Sequence, residues 1–122
     1  MSLPAGLRVL LVEDEVLVGM LLEDILTDLG CEVVGPMTSV DAAIEFASNA
    51  SVDVALLDIN LTGADAYPVA EVLAGRGIAF GFLTGYQSVH PDFEQYPSLG
   101  KPVDRKALEA VLVSLDPRRT QG

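Results

Sequence analysis

Three short apolar runs stand out along the chain: Val9-Leu10-Leu11-Val12, Val54-Ala55-Leu56-Leu57 and Ile78-Ala79-Phe80-Gly81-Phe82-Leu83. None alternates apolar with polar residues, which suits strands buried on both faces of a parallel sheet. Between the first two, Val18, Leu21, Leu22, Ile25, Leu26 and Leu29 recur at helical spacing, with Gly30 placed to end the helix. Residues Cys31 to Gly35 read as a shorter strand. Ser39 then caps a helix whose inner positions are Val40, Ala43, Ile44 and Ala47. A third helix is expected over Ala66 to Leu73, where Tyr67 and Pro68 shape the first turn and Gly75 and Gly77 close it. Ser98 to Gly100 reads as a short fifth strand, and Asp104 caps a last helix that buries Leu108, Val111, Leu112 and Leu115 before Pro117.

Strand and helix therefore alternate about five times, and right-handed crossovers turn that order into an α/β doubly wound parallel sheet. The stretch from Tyr86 to Pro97 departs from the alternation. It holds Pro91 and Pro97 and lacks a helical stripe, so the fourth helix is expected to be short or irregular.

Composition narrows the classes of function. At 122 residues the chain fits one domain, expected over residues 7–116 with flexible termini at 1–6 and 117–122. Half of the residues are apolar, as in a packed globule. The net charge is −11 with only seven Lys and Arg, which argues against binding to nucleic acid. No apolar run reaches the roughly 18 residues of a membrane span, so a cytoplasmic protein without membrane contact is expected. A lone Cys31 reads as a small buried apolar residue.

In open α/β sheets the site forms beyond the carboxyl ends of the strands. There the chain places Glu13 and Asp14 after the first strand, Asp58 after the third, Thr84 after the fourth, and Lys101 with Pro102 after the fifth. Three carboxylates brought together need a cation, and hard oxygen ligands with an open shell suit Mg²⁺. A carboxylate beside Mg²⁺ can attack a phosphoryl group to give an acyl phosphate. Asp58 ends the central strand and is the candidate nucleophile; Lys101 supplies an ammonium and Thr84 a hydroxyl for the phosphoryl oxygens.

Leu11-Val12-Glu13-Asp14-Glu15, Leu56-Leu57-Asp58-Ile59-Asn60, Leu83-Thr84-Gly85 and Lys101-Pro102, each following a predicted strand, resemble the receiver domains of two-component response regulators. The resemblance implies a flavodoxin-like five-stranded sheet of order 2-1-3-4-5. It also implies that Asp58 accepts phosphate from a phosphohistidine on a sensor histidine kinase or histidine phosphotransfer protein. Asp14 and Asp58 would bind Mg²⁺ directly, Asn60 through its backbone carbonyl and Glu13 through water. The output would be contact with a downstream protein partner, with a weak homodimer also allowed. Such a receiver catalyses only its own phosphorylation and dephosphorylation.

Two departures shape the reading. The Met-Pro pair that many receivers carry after the acceptor is absent from Asn60-Leu61-Thr62-Gly63-Ala64-Asp65, and the aromatic usual three positions before the Lys is Ser98. Phe82-Leu83-Thr84-Gly85-Tyr86 instead resembles receivers named for a Phe-Ala-Thr-Gly-Tyr run, which makes Tyr86 the candidate switch residue. Two other functions remain open at this point: a binding module of the same fold without phosphorylation, and a phosphohydrolase with an Asp nucleophile. The latter needs a second acid two residues after Asp58, where Asn60 cannot supply a proton. His90, in a loop before Pro91, has no partner at metal-ligand spacing and reads as exposed.

Overall fold

The computed structural model describes residues 5–61, 64–85 and 89–120. Its strands are β1 (Arg8–Val12), β2 (Glu32–Met37), β3 (Val54–Asp58), β4 (Asn60–Leu61), β5 (Ala64–Asp65), β6 (Ala79–Thr84) and β7 (Ser98–Gly100). Its α-helices are α1 (Val16–Asp28), α2 (Val40–Asn49), α3 (Tyr67–Gly75) and α4 (Arg105–Leu115). Five strands form one parallel sheet in the order β2-β1-β3-β6-β7. Apart from the two-residue antiparallel ladder β4-β5, which no sequence pattern marks, this is the 2-1-3-4-5 order of the flavodoxin-like fold.

The apolar runs do not alternate because both faces of the sheet are covered. Leu10, Val12, Ala55, Leu57, Phe80 and Phe82 pack beneath α2 and α3. Val9, Leu11, Val54, Leu56 and Leu83 pack beneath α1 and α4, together with Leu22, Leu26, Leu108 and Leu112. Cys31 is buried in that second layer, and burial pushes its thiol up to about 11, as befits an inert packing group.

Two helix starts follow from their caps. Ser39 accepts a hydrogen bond from Ala42 N at 3.2 Å, and Asp104 accepts one from Ala107 N at 2.9 Å. The third helix begins one residue later than expected and takes in Gly75, and the stop falls at Gly77, whose φ is +71°. Arg76, just before it, closes the carboxyl end of α2 as well: its guanidinium donates to Ala47 O at 2.7 Å and Ala50 O at 2.9 Å.

The second strand runs past Gly35, through Pro36 to Met37. Gly35 makes this possible with φ +112°, where a Cβ would lie 2.7 Å from both Leu11 O and Met37 N. The pairing of β1 with β2 shifts register at this place, so the proline sits at a bulge.

One expected core residue lies outside. Leu21 is 51% exposed, next to Leu17 (80%), Val16 (71%) and Met20 (56%). Helical geometry turns Leu22 and Leu26 to the sheet, and a residue one step earlier is rotated by about 100° toward solvent. α1 is thus more apolar than its buried face requires.

Between β6 and β7 the described residues contain no α-helix, only a 3₁₀ turn at Pro91–Phe93. Aromatic stacking covers the sheet there: Tyr96 lies on Phe80 with ring centroids 4.1 Å apart, and Tyr67 lies on Phe93 at 5.1 Å. Past α4, buried Asp116 accepts from Arg118 Nε and Nη2 at 2.9 Å each, and Arg118 Nη1 donates to Ala5 O, fastening the two ends of the chain together. No helix among the described residues is long and apolar enough to cross a membrane.

Candidate functional site

β1, β3, β6 and β7 end side by side, and the residues that follow them meet in one cleft. Ile59 N donates to Leu83 O at 3.3 Å, and Lys101 N donates to Thr84 O at 2.8 Å. These backbone bonds fix the spacing of Asp58, Thr84 and Lys101 before any side chain takes part. The cleft, about 500 Å³, is lined by Glu15, Val18, Asp58, Asn60, Gly85, Lys101 and Pro102.

Asp58 is 3% exposed and Glu13 only 1%, an unusual depth for two carboxylates. Lys101 Nζ sits between them, 3.0 Å from Asp58 Oδ2 and 2.9 Å from Glu13 Oε1. The second oxygen of each carboxylate is held by the backbone two residues on: Asn60 N donates to Asp58 Oδ1 at 3.2 Å, and Glu15 N to Glu13 Oε2 at 3.0 Å. Each acid is thereby oriented by its own turn as well as by the lysine.

Charge within the cluster is unbalanced. Glu13, Asp14 and Asp58 each offer an oxygen within 4.8 Å of the others. Burial, partly offset by Lys101 and the Glu15 amide and reinforced by Asp58, pushes Glu13 up from 4.5 to about 7. Burial alone would depress Lys101, but the two carboxylates outweigh it and hold its ammonium above the usual lysine range. Three carboxylates facing one ammonium leave the cluster short of positive charge, and their convergent oxygens are a donor set that fits a hard divalent cation.

The Thr84 hydroxyl donates to Leu99 O at 3.4 Å, the long end of the hydrogen-bond range, and so points toward β7. The structure therefore brings together Glu13, Asp14, Asp58, Asn60 and Lys101, with Thr84 joined to Lys101 through the backbone and its hydroxyl turned to Leu99 O. Tyr86 lies outside the described residues.

Sequence reading missed the direct contact between Glu13 and Lys101, which joins residues 88 positions apart and leaves no local trace. It also missed the cleft-lining roles of Glu15, Val18 and Gly85, although Glu15 and Gly85 belong to the motifs that mark the site.

The chain is similar to several solved structures. SdrG from Sphingomonas melonis Fr1, solved in solution, is 39% identical with a TM-score of 0.82, over 93% of this chain and 98% of that one. The BeF3-activated conformation of SdrG, there ascribed to Pseudomonas melonis Fr1, gives 38% and 0.77 over the same shares of the two chains. The receiver domain of the sensor histidine kinase PA1611 from Pseudomonas aeruginosa PAO1, with a magnesium ion coordinated in its active site cleft, is 27% identical with a TM-score of 0.78, over 91% and 98%. No curated protein gives a significant match to the sequence. The profile of the response regulator receiver domain matches residues 9–112, so the chain belongs to the response regulator receiver family.

Proposed function

We propose that this chain is a phospho-accepting receiver of a two-component phosphorelay, with Asp58 as the acceptor. The observation that carries the reading is the buried Asp58 carboxylate, opening on the cleft with the Lys101 ammonium 3.0 Å away. An Asp58 oxygen attacks the phosphorus of a phosphohistidine; an O–P bond forms, the P–N bond breaks, and the imidazole leaves with a proton. Lys101 then shifts its charge from the carboxylate to a phosphoryl oxygen, and Thr84 turns its hydroxyl from Leu99 O to another.

Asp14, Asp58 and the Asn60 carbonyl would hold Mg²⁺ directly and Glu13 through water, the ion supplying the positive charge that the cluster lacks. Glu13 also holds Lys101 on the side of the cleft away from solvent. The side chain at position 60 is an amide and cannot act as an acid, which favours a retained acyl phosphate over turnover of phosphate esters.

The phosphodonor is a sensor histidine kinase or histidine phosphotransfer protein in the cytoplasm, and the downstream reader is a further protein. The exposed Val16, Leu17, Met20 and Leu21 support a protein donor, because they adjoin Glu15 and Val18 on the cleft wall.

Incubation with Mg²⁺ and acetyl phosphate, followed by intact mass, tests the reading. A gain of one phosphoryl group that needs Mg²⁺ and is lost in Asp58→Asn is expected. Absence of the gain together with absence of Mg²⁺ binding would favour a binding module without phosphorylation, and turnover of a generic phosphate ester would favour a hydrolase.

A further inference from the structure

Tyr67 is tied by a short path to the acceptor. Ile59 follows Asp58, Ala66 N donates to Ile59 O at 2.9 Å, and Asn60 pairs with Asp65 in the β4-β5 ladder. Tyr67 N then donates to Asp65 Oδ1 at 3.1 Å. The position of Tyr67 is therefore fixed by the same turn that carries Asp58.

Its side chain reaches the other half of the site. The ring stacks on Phe93 at 5.1 Å and meets Phe82 edge-on at 5.8 Å, two residues before Thr84 on β6. Its hydroxyl accepts a hydrogen bond from His90 N at 2.8 Å. His90 is itself the cap of the 3₁₀ turn, with Nδ1 accepting from Asp92 N at 3.1 Å. It lies six residues beyond Thr84.

The far end of this segment is pinned to the sheet. Phe82 N donates to Pro97 O at 2.9 Å, and Tyr96 stacks on Phe80. Among the described residues the His90 turn is a single 3₁₀ turn with no α-helical ladder, so one hydrogen bond counts for much there.

We propose that Tyr67 is a positioning residue whose hydroxyl clasps His90 only in the arrangement where Thr84 faces Leu99, and releases it when Thr84 turns to a phosphoryl group. This rests on Asp58 being the acceptor. Tyr67 stays anchored to the acceptor turn, so a shift of the His90 turn that accompanies the reorientation of Thr84 lengthens the distance between the hydroxyl and His90 N. The clasp opposes the change and sets the fraction of molecules ready for it.

The test is Mg²⁺-dependent binding of beryllofluoride, followed by ¹⁵N NMR, in wild type, Tyr67→Phe, His90→Pro and His90→Ala. Phenylalanine keeps the ring and removes only the hydroxyl. Proline removes the His90 N–H and suits the backbone there, where φ is −57°. His90→Ala keeps the N–H and controls for the imidazole.

Tyr67→Phe should bind beryllofluoride about two- to tenfold more tightly than wild type, the range one modest hydrogen bond supplies. His90→Pro should bind more tightly than His90→Ala, and combining it with Tyr67→Phe should add little. A merely structural role would weaken binding. Equal or weaker affinity in Tyr67→Phe, or full additivity of the two changes, overturns the clasp. Failure of wild type to bind beryllofluoride with Mg²⁺ overturns the assignment of Asp58, and the clasp with it.

Discussion

Replacing Glu13 by Gln tests the charge imbalance at the site through stability alone. Glu13 is pushed from 4.5 to about 7 in the folded protein, so the native state holds a proton that the unfolded chain has released. Between these two values stability falls as pH rises, because folding requires uptake of that proton; below 4.5 the effect is absent. The full span corresponds to about 3 kcal/mol at about 1.4 kcal/mol per tenfold change in proton affinity. The cleft opens to solvent and the group is shared with Lys101 and Asp58, so we expect about 1–3 kcal/mol to be measurable. Glutamine has the same shape and can still accept from Lys101, but it does not titrate. In urea denaturation without divalent ions, wild type minus Glu13→Gln should therefore drop by that amount between pH 4.5 and pH 7. Saturating Mg²⁺ should remove most of the drop, since added positive charge lets Glu13 ionise in place. Parallel pH profiles for the two proteins in the absence of divalent ions, or a drop that saturating Mg²⁺ leaves unchanged, would refute the reasoning.

Three further outcomes follow from the packing. Gly35→Ala should destabilise by about 3 kcal/mol in urea denaturation, because φ is +112° and the new Cβ would meet Leu11 O and Met37 N at 2.7 Å. Arg76→Ala should cost about 1 kcal/mol and speed amide exchange at the end of α2, where Ala47 O and Ala50 O lose their donor. Leu17→Ser with Met20→Ser should leave phosphorylation by acetyl phosphate unchanged and slow transfer from a histidine phosphotransfer protein about tenfold, read by quenched-flow transfer assays.

The fold was legible where local chemistry decides it. Ser39 and Asp104 cap the helices they were expected to cap, and the unalternated runs at residues 9–12 and 54–57 became central strands because helices cover both faces. The polar residues at the carboxyl ends of those strands marked the candidate site, because ligand sites in open α/β sheets form at that edge. What was not legible depends on contacts far apart in sequence. Leu21 looked buried because periodicity gives the width of an apolar stripe and not how much of it the sheet can cover. The second strand continued past Gly35 because one residue could take a positive φ against β1. The irregular segment before β7 was legible from Pro91 and Pro97, but the ring contacts of Tyr67, Phe93 and Tyr96 that cover the sheet there were not, because no local period encodes them. His90 is exposed as expected, yet its backbone N–H is engaged by Tyr67.

The central claim is that Asp58 carries the phosphoryl group, and trapping the acyl phosphate at residue level tests it most directly. Treating the phosphorylated protein with borohydride reduces an aspartyl phosphate to homoserine, which peptide mass spectrometry locates. Homoserine at position 58, dependent on Mg²⁺ and phosphodonor, is the predicted result. Homoserine at another acid of the cluster, or a stable phosphoryl group that resists borohydride, would contradict the account.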